Sequence, residues 1–235
     1  MQPSIAAIVP MRHASERVPG KNYRSFAGAG PLYHRIMSTL LKCPLISQVV
    51  IDTDSPTIQS DAAKNFPRVK LIERPEHLRD GATRMNDVLL HTTSLVKADL
   101  YLQTHSTNPL LKTSTIDSAI ESLRSLPGVF DSLFSVTRIQ ARLWDQDTHA
   151  VNHDPDVLLR TQDLPPVFLE NSCLYLFTRA TLESRHNRIG ERPMMFEIEP
   201  AEAIDIDNEI DFRIAELMYL ESQHFAGPGR RAAVA

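Results

Sequence analysis

The chain predicts an α/β fold, a Rossmann-like, doubly wound and mostly parallel sheet. Two observations carry that prediction. Ile5–Val9 is an unbroken apolar run of strand length, as a strand buried on both faces requires. From there to about residue 137, short apolar runs alternate with stretches of helical period, the pattern of βαβ units.

The elements follow in order. After the first strand comes a polar loop, Pro10 to Asn22, and then Leu32, Ile36, Leu40 and Leu41 recur at helical spacing until Pro44. Gln48–Ile51 reads as the second strand, and Asp52-Thr53-Asp54-Ser55-Pro56 opens a helix to about Asn65. Val69–Ile72 is a third strand, Met85–Val96 a helix, and Leu100–Gln103 a fourth strand. Ser114–Leu126 and Ser132–Val136 are the next helix and strand. The rhythm breaks between about 140 and 166, read as a hairpin-like insertion projecting from the sheet. It resumes with a strand at Ser172–Phe177 and ends on a helix from Glu209 to Ser222, with Ile210, Ile214, Leu217 and Met218 on one face. The expected organisation is one domain over 1–225 and a disordered tail over 226–235.

Composition narrows the function. The 235 residues carry 25 Lys and Arg against 29 Asp and Glu, so the basic excess of a nucleic-acid binder is absent. No apolar stretch approaches a membrane span, and the N-terminus lacks the pattern of a signal peptide. Cys43 and Cys173 form no metal or redox motif. The expectation is a cytoplasmic protein with no membrane and no nucleic-acid partner.

In a doubly wound sheet, ligands sit beyond the carboxyl ends of the strands. The loop after the first strand sets Arg12, Arg17 and Lys21 there, with Ser15 and Gly20 permitting turns. Arginine forks, a lysine point charge and free backbone N–H groups are what a triphosphate needs. The loop is neither a Walker A sequence nor a dinucleotide fingerprint.

That loop resembles the signature A-R-x-x-S-[KR]-x-x-P-x-K-N of the sugar cytidylyltransferases that make CMP-sialic acid and CMP-Kdo. Arg12, Ser15, Arg17, Pro19, Lys21 and Asn22 match. Further stretches resemble the same family: Val49–Ser55, Glu73–Leu78, Leu102-Gln103 with Ser106–Leu110, Asn171–Tyr175 and Ala203–Phe212. The N-x-x-x-Y and D-I-D stretches resemble the acylneuraminate (CMP-sialic acid) branch more than the Kdo branch.

The resemblance implies transfer of CMP from CTP to the anomeric hydroxyl of a keto-acid sugar, sialic acid or a related nonulosonate, with release of pyrophosphate. It implies Arg12, Ser15, Lys21 and Asn22 on the nucleotide and Arg74 at the cytosine. Arg12, Lys21 and Asp207 are the implied catalytic set. Arg74 could instead pair with Glu73 or Glu76. Gln103, Asn171, Tyr175 and Arg160 are implied for the sugar, although Gln103 could cap a helix and Tyr175 could be core. If 172–177 is a strand, Asn171 and Tyr175 point to one face.

Asp205 and Asp207, two apart on an expected short strand, share a face. Their repulsion calls for Mg²⁺ held with substrate phosphates, unless Asp207 or Asn208 caps the last helix. The chain departs from the family where the sugar should sit. Leu169 and Glu170 stand where an arginine is usual two before the asparagine, and Thr104-His105 replace Pro-Thr. The 140–166 segment resembles the region through which the family pairs subunits, implying a homodimer. One alternative within the class is CMP-Kdo synthesis. Another, from a different class, is a phosphatase using Asp52 and Asp54.

Overall fold

The computed structural model describes residues 3–226. Seven strands form one sheet in the order β3-β2-β1-β4-β6-β5-β7. The strand β1 (Ile5–Met11) lies at its heart, buried over its whole length and parallel to both neighbours, β2 (Gln48–Thr53) and β4 (Leu100–Thr104). Its continuous apolar run has a simple cause. Ile5, Ala7, Val9 and Met11 enter one core cluster, while Ala6 and Ile8 enter the other. Two buried faces leave no position for a polar residue.

Helices cover both faces. The first cluster packs the buried sides of α1 (Tyr33–Lys42), α2 (Pro56–Asn65) and α4 (Thr113–Ser125). The second packs α3 (Met85–Leu95) and α5 (Arg179–Arg185). Ser55 caps α2 by accepting from Ile58 N, with Pro56 in the first turn, while Asp52 and Thr53 still belong to β2. The chain steps from β1 outward through β2 to β3 (Lys70–Glu73), then crosses back to β4 on the other side of β1. This is the topological switch point, and it opens a crevice beyond the ends of β1 and β4.

Some elements differ from the expectation. The strand β5 (Ser132–Ile139) is longer, and β6 (Val167–Phe177) starts five residues earlier than the predicted strand. They pair antiparallel out to Ile139↔Val167, so residues 140–166 connect two sheet neighbours. The short helix α5 and the edge strand β7 (Pro193–Glu197) carry too little periodicity to be read locally.

The last helix, α6 (Glu209–Ala226), buries Phe212 and Ala215, and Tyr219 packs partly against the same cluster. The apolar row read from its period is turned outward instead, with Ile210, Ile214 and Leu217 exposed. Val18, Phe26, Leu32 and Ile206 already fill the third cluster that the helix joins, and so decide which side faces inward. Ala226 closes this helix. Residues 227–235, most of the expected tail, lie outside the described residues. No helix among the described residues is long and apolar enough to cross a membrane.

Candidate active site

The crevice holds a cavity of about 560 Å³, lined by the 10–22 loop, the 105–107 segment after β4, Arg74, Arg188, Asp205 and Asp207. The basic loop is folded from within. Gly20 takes a positive φ of 63°, and a Cβ there would sit 2.8 Å from the Tyr23 ring. Val18 is anchored in the third cluster. Asn22 is nearly buried; it donates to the Arg12 carbonyl at 2.9 Å and accepts from Ser106 Oγ at 2.7 Å. It thereby ties the loop after β1 to the segment after β4. Arg12, Ser15, Arg17 and Lys21 all line the cavity.

Lys21 Nζ donates to the Ile206 carbonyl at 2.6 Å, which sets the ammonium beside the two aspartates. Burial lowers its pKa, and the charges of Asp205 and Asp207 oppose that shift. The stretch holding Asp205 and Asp207 is irregular rather than the expected short strand. Its alternation has another cause: Ile206 N donates to the Thr107 carbonyl at 3.0 Å and its side chain is locked in the third cluster, and both flanking carboxylates line the cavity.

Asp205 Oδ1 is buried with no hydrogen-bond partner. Its pKa is raised, first by burial and also by Asp207, against a Thr107 hydrogen bond and the charges of Lys21 and Arg17. Asp207 pairs with Arg17 at 2.8 Å on the exposed side. An unsatisfied carboxylate oxygen beside a second carboxylate is a donor set that fits a hard divalent cation. Of the two residues expected for the helix cap, Asn208 fills it together with Asp211, and Asp207 does not. Asn208 Oδ1 accepts from Ile210 N and Asp211 N, and Asp211 Oδ2 accepts from the Asp207 and Asn208 backbone.

Arg74 is 2% exposed. It pairs with Asp52 rather than with Glu73 or Glu76: Nε to Asp52 Oδ1 is 2.6 Å, and Nη2 donates to the Asp52 carbonyl at 3.2 Å. Thr92 Oγ1 donates to the other Asp52 oxygen at 2.8 Å. Asp52, fully buried, is therefore a structural counter-ion, and Asp54 accepts from the His13 backbone. Neither Asp52 nor Asp54 lines the cavity, which counts against the phosphatase alternative.

Gln103 is buried at the end of β4 and caps no helix. Its Oε1 accepts from Arg188 Nη1 at 2.5 Å, which leaves Nε2 to donate to His105 Nε2 at 2.9 Å. Arginine only donates, so this relay fixes the amide orientation and makes His105 Nε2 an acceptor, with the proton on Nδ1. The imidazole is neutral accordingly, its pKa pushed down to about 3 by burial and then by the Arg188 and Lys21 charges.

The structure separates the remaining predicted sugar residues. Ser172 takes a φ of 58°, and the β5–β6 register shifts beside it. Asn171 is thereby turned to the face of Ser135 and Thr137, bonding both, while Tyr175 packs in the opposite cluster. The expectation that Asn171 and Tyr175 share a face is overturned by this bulge. Asn171 lies outside the cavity lining, and Arg160 is an exposed partner of Asp163 at 2.7 Å. Sequence reading missed Arg188, which lines the cavity with its guanidinium 3.6 Å from the Tyr175 ring centroid. No local motif surrounds it.

Comparison with known proteins places this geometry. The family described as Cytidylyltransferase matches residues 6–225. An N-acylneuraminate cytidylyltransferase of Oncorhynchus mykiss is 27% identical over 228 residues, 94% of this chain and 51% of that protein. A CMP-N,N'-diacetyllegionaminic acid synthase of Legionella pneumophila is 26% identical over 93% of this chain and 98% of its own length. A 3-deoxy-manno-octulosonate cytidylyltransferase of Geobacter sulfurreducens is 32% identical over 54% of this chain and 48% of that protein. The chain spans about half the length of the N-acylneuraminate cytidylyltransferases it matches. Among solved structures, a CMP:2-keto-3-deoxy-manno-octonic acid synthetase complexed with CTP shares the fold, with TM-score 0.68 at 15% identity over 94% of this chain and 99% of that one. The chain belongs to the cytidylyltransferase family.

Proposed function

We propose that this chain transfers CMP from CTP to the anomeric hydroxyl of a keto-acid sugar, sialic acid or a related nonulosonate, and releases pyrophosphate. The observation that carries the reading is one cavity joining the Arg12–Lys21 loop to Asp205 and Asp207 at the switch point. Arg12, Ser15 and Lys21 hold the phosphates, and Lys21 is the group for the α-phosphate. Held by a single bond to Ile206, its ammonium keeps two donors free. Asn22 shapes the loop through Arg12 and Ser106. Arg74, fixed by Asp52, presents a rigid edge toward the base.

Asp205 and Asp207 are the ligands for Mg²⁺, whose charge, when bound, offsets that of the triphosphate. Catalysis is then mostly positioning and charge stabilisation by groups already oriented before substrate arrives. Gln103 stands at the sugar end, with Tyr175 behind it; Asn171 acts indirectly by bonding Ser135 and Thr137 across the bulge. Both cysteines are buried and unpaired, which agrees with a reducing cytoplasm. Pyrophosphate release with CTP, ATP, GTP and UTP across a panel of acid sugars tests the reading. Turnover with CTP and at least one nonulosonate is expected. Equal turnover with all four nucleotides would remove the cytidine assignment, and a sole response to 3-deoxy-manno-octulosonate would move the acceptor to the Kdo class.

The reading includes a C₂ homodimer. The 140–166 segment and the adjoining start of β6 expose Trp144, Val157, Leu158, Leu159 and Leu169, with Leu158 86% exposed. Such a concentration of apolar side chains fits a surface covered by a second copy. Arg160 lies within it, so its contribution to a sugar site would come across the interface. Light scattering on the full chain should return twice the monomer mass at micromolar concentration. An active monomer at that concentration would overturn the assignment.

A further inference from the structure

The cavity has two cationic ends. One is the loop after β1. The other is Arg188 alone, on the segment between α5 and β7, and the way that segment is held shows a built site. Its backbone N donates to Asn86 Oδ1 at 3.3 Å, and two residues earlier His186 pairs with Asp87 at 2.7 Å. The first turn of α3 thus clamps the loop carrying the arginine. The guanidinium lies 3.6 Å from the Tyr175 ring centroid and donates to Gln103 Oε1 at 2.5 Å. Tyr175 is held from behind, its hydroxyl donating to Glu170 and bonding Ser172. The one nearby carboxylate, Glu170, accepts the Tyr175 hydroxyl and acts on Arg188 through its charge, but no carboxylate forms an ion pair with Arg188 among the described residues.

A largely buried arginine, oriented on an aromatic face and with no carboxylate in ion-pair contact, is arranged for an anion supplied from outside. A single planar fork matches a single planar anion, whereas the triphosphate has Arg12 and Lys21 at the other end. We propose that Arg188 receives the carboxylate of the acceptor sugar, with Gln103 and Tyr175 as its positioning residues. This assignment rests on the cytidylyl-transfer reading above. It also gives the departure at Leu169 a physical account, since the positive charge of this end of the cavity comes from a different element.

The test uses the full chain with CTP and two pairs of probes: N-acetylneuraminate and 3-deoxy-manno-octulosonate, each with its C1 amide. Acceptor binding by calorimetry and pyrophosphate release are measured on wild type, Arg188→Gln and Arg188→Lys. The wild type should prefer an acid over its amide. Arg188→Gln should erase that preference and raise KM for the acid roughly 10- to 100-fold, the range of a charge-assisted hydrogen bond, with KM for CTP unchanged. Arg188→Lys keeps the charge and loses the fork, so it should fall between, and it carries the test if the glutamine variant melts early. An Arg188→Gln enzyme with wild-type KM for the acid overturns the assignment. So does a wild type that treats acid and amide alike. A wild type that binds the acid selectively yet releases no pyrophosphate overturns cytidylyl transfer and leaves the carboxylate site standing.

Discussion

Asp207→Asn should leave the fold intact and lower turnover on the order of 100-fold or more, the scale of losing one oriented charge-stabilising group. The structure says why stability is spared. The last helix is capped by Asn208 and Asp211, so the Asp207 side chain has no part in the cap. What it loses is an exposed pair with Arg17, the kind of contact worth about 0–1 kcal/mol. Asp205→Asn should be the sharper case. The folded chain raises the pKa of Asp205, so the charged form is disfavoured by its surroundings. Removing that charge is therefore expected to leave the melting temperature unchanged or raised while turnover collapses, the trade-off of a site that stores strain for function. The double variant should cost less than the sum, because both carboxylates act on one ion. Both single variants should also demand more Mg²⁺. Melting curves and pyrophosphate release on the three variants decide the matter; normal turnover in Asp207→Asn would remove the metal role.

The second large effect lies at Arg74, in the cavity wall. Arg74→Met should destabilise the chain by about 3–5 kcal/mol, the usual result of stripping one partner from a buried ion pair. Asp52 would then be fully buried with Thr92 as its one remaining side-chain hydrogen bond. At about 2–4 °C per kcal/mol for a chain of this size, the melting temperature should fall by roughly 6–20 °C. Pairing it with Asp52→Asn should recover much of that loss, since the uncompensated charge is gone. Affinity for CTP should not recover in the double variant, because the Arg74 guanidinium proposed for the base is absent from it. Denaturant titration of the two singles and the double measures the coupling. A stable Arg74→Met enzyme with weak CTP binding would instead make Arg74 a ligand contact with no structural share.

Much of the architecture was legible because it is encoded between near neighbours. The Ile5–Val9 run could only be a strand buried on both faces, and the loop after it carried Arg12, Ser15, Lys21 and Asn22 in one short segment, so locating the strand located one wall of the cavity. The spacing of Asp205 and Asp207 likewise survived, even though the strand expected to carry them is absent, because Ile206 between them is claimed by the core. Tertiary structure alone decided the rest. A bulge at Ser172 reversed the alternation that would have put Asn171 beside Tyr175. Competition with Val18, Phe26 and Leu32 turned the apolar row of α6 outward. Arg74 found its partner in Asp52, 22 residues away in the chain, and Arg188 found Gln103, 85 residues away. Helical and strand periods report which side of an element is apolar. They carry no information on which distant charge will lie opposite, and that pairing is set when the layers pack.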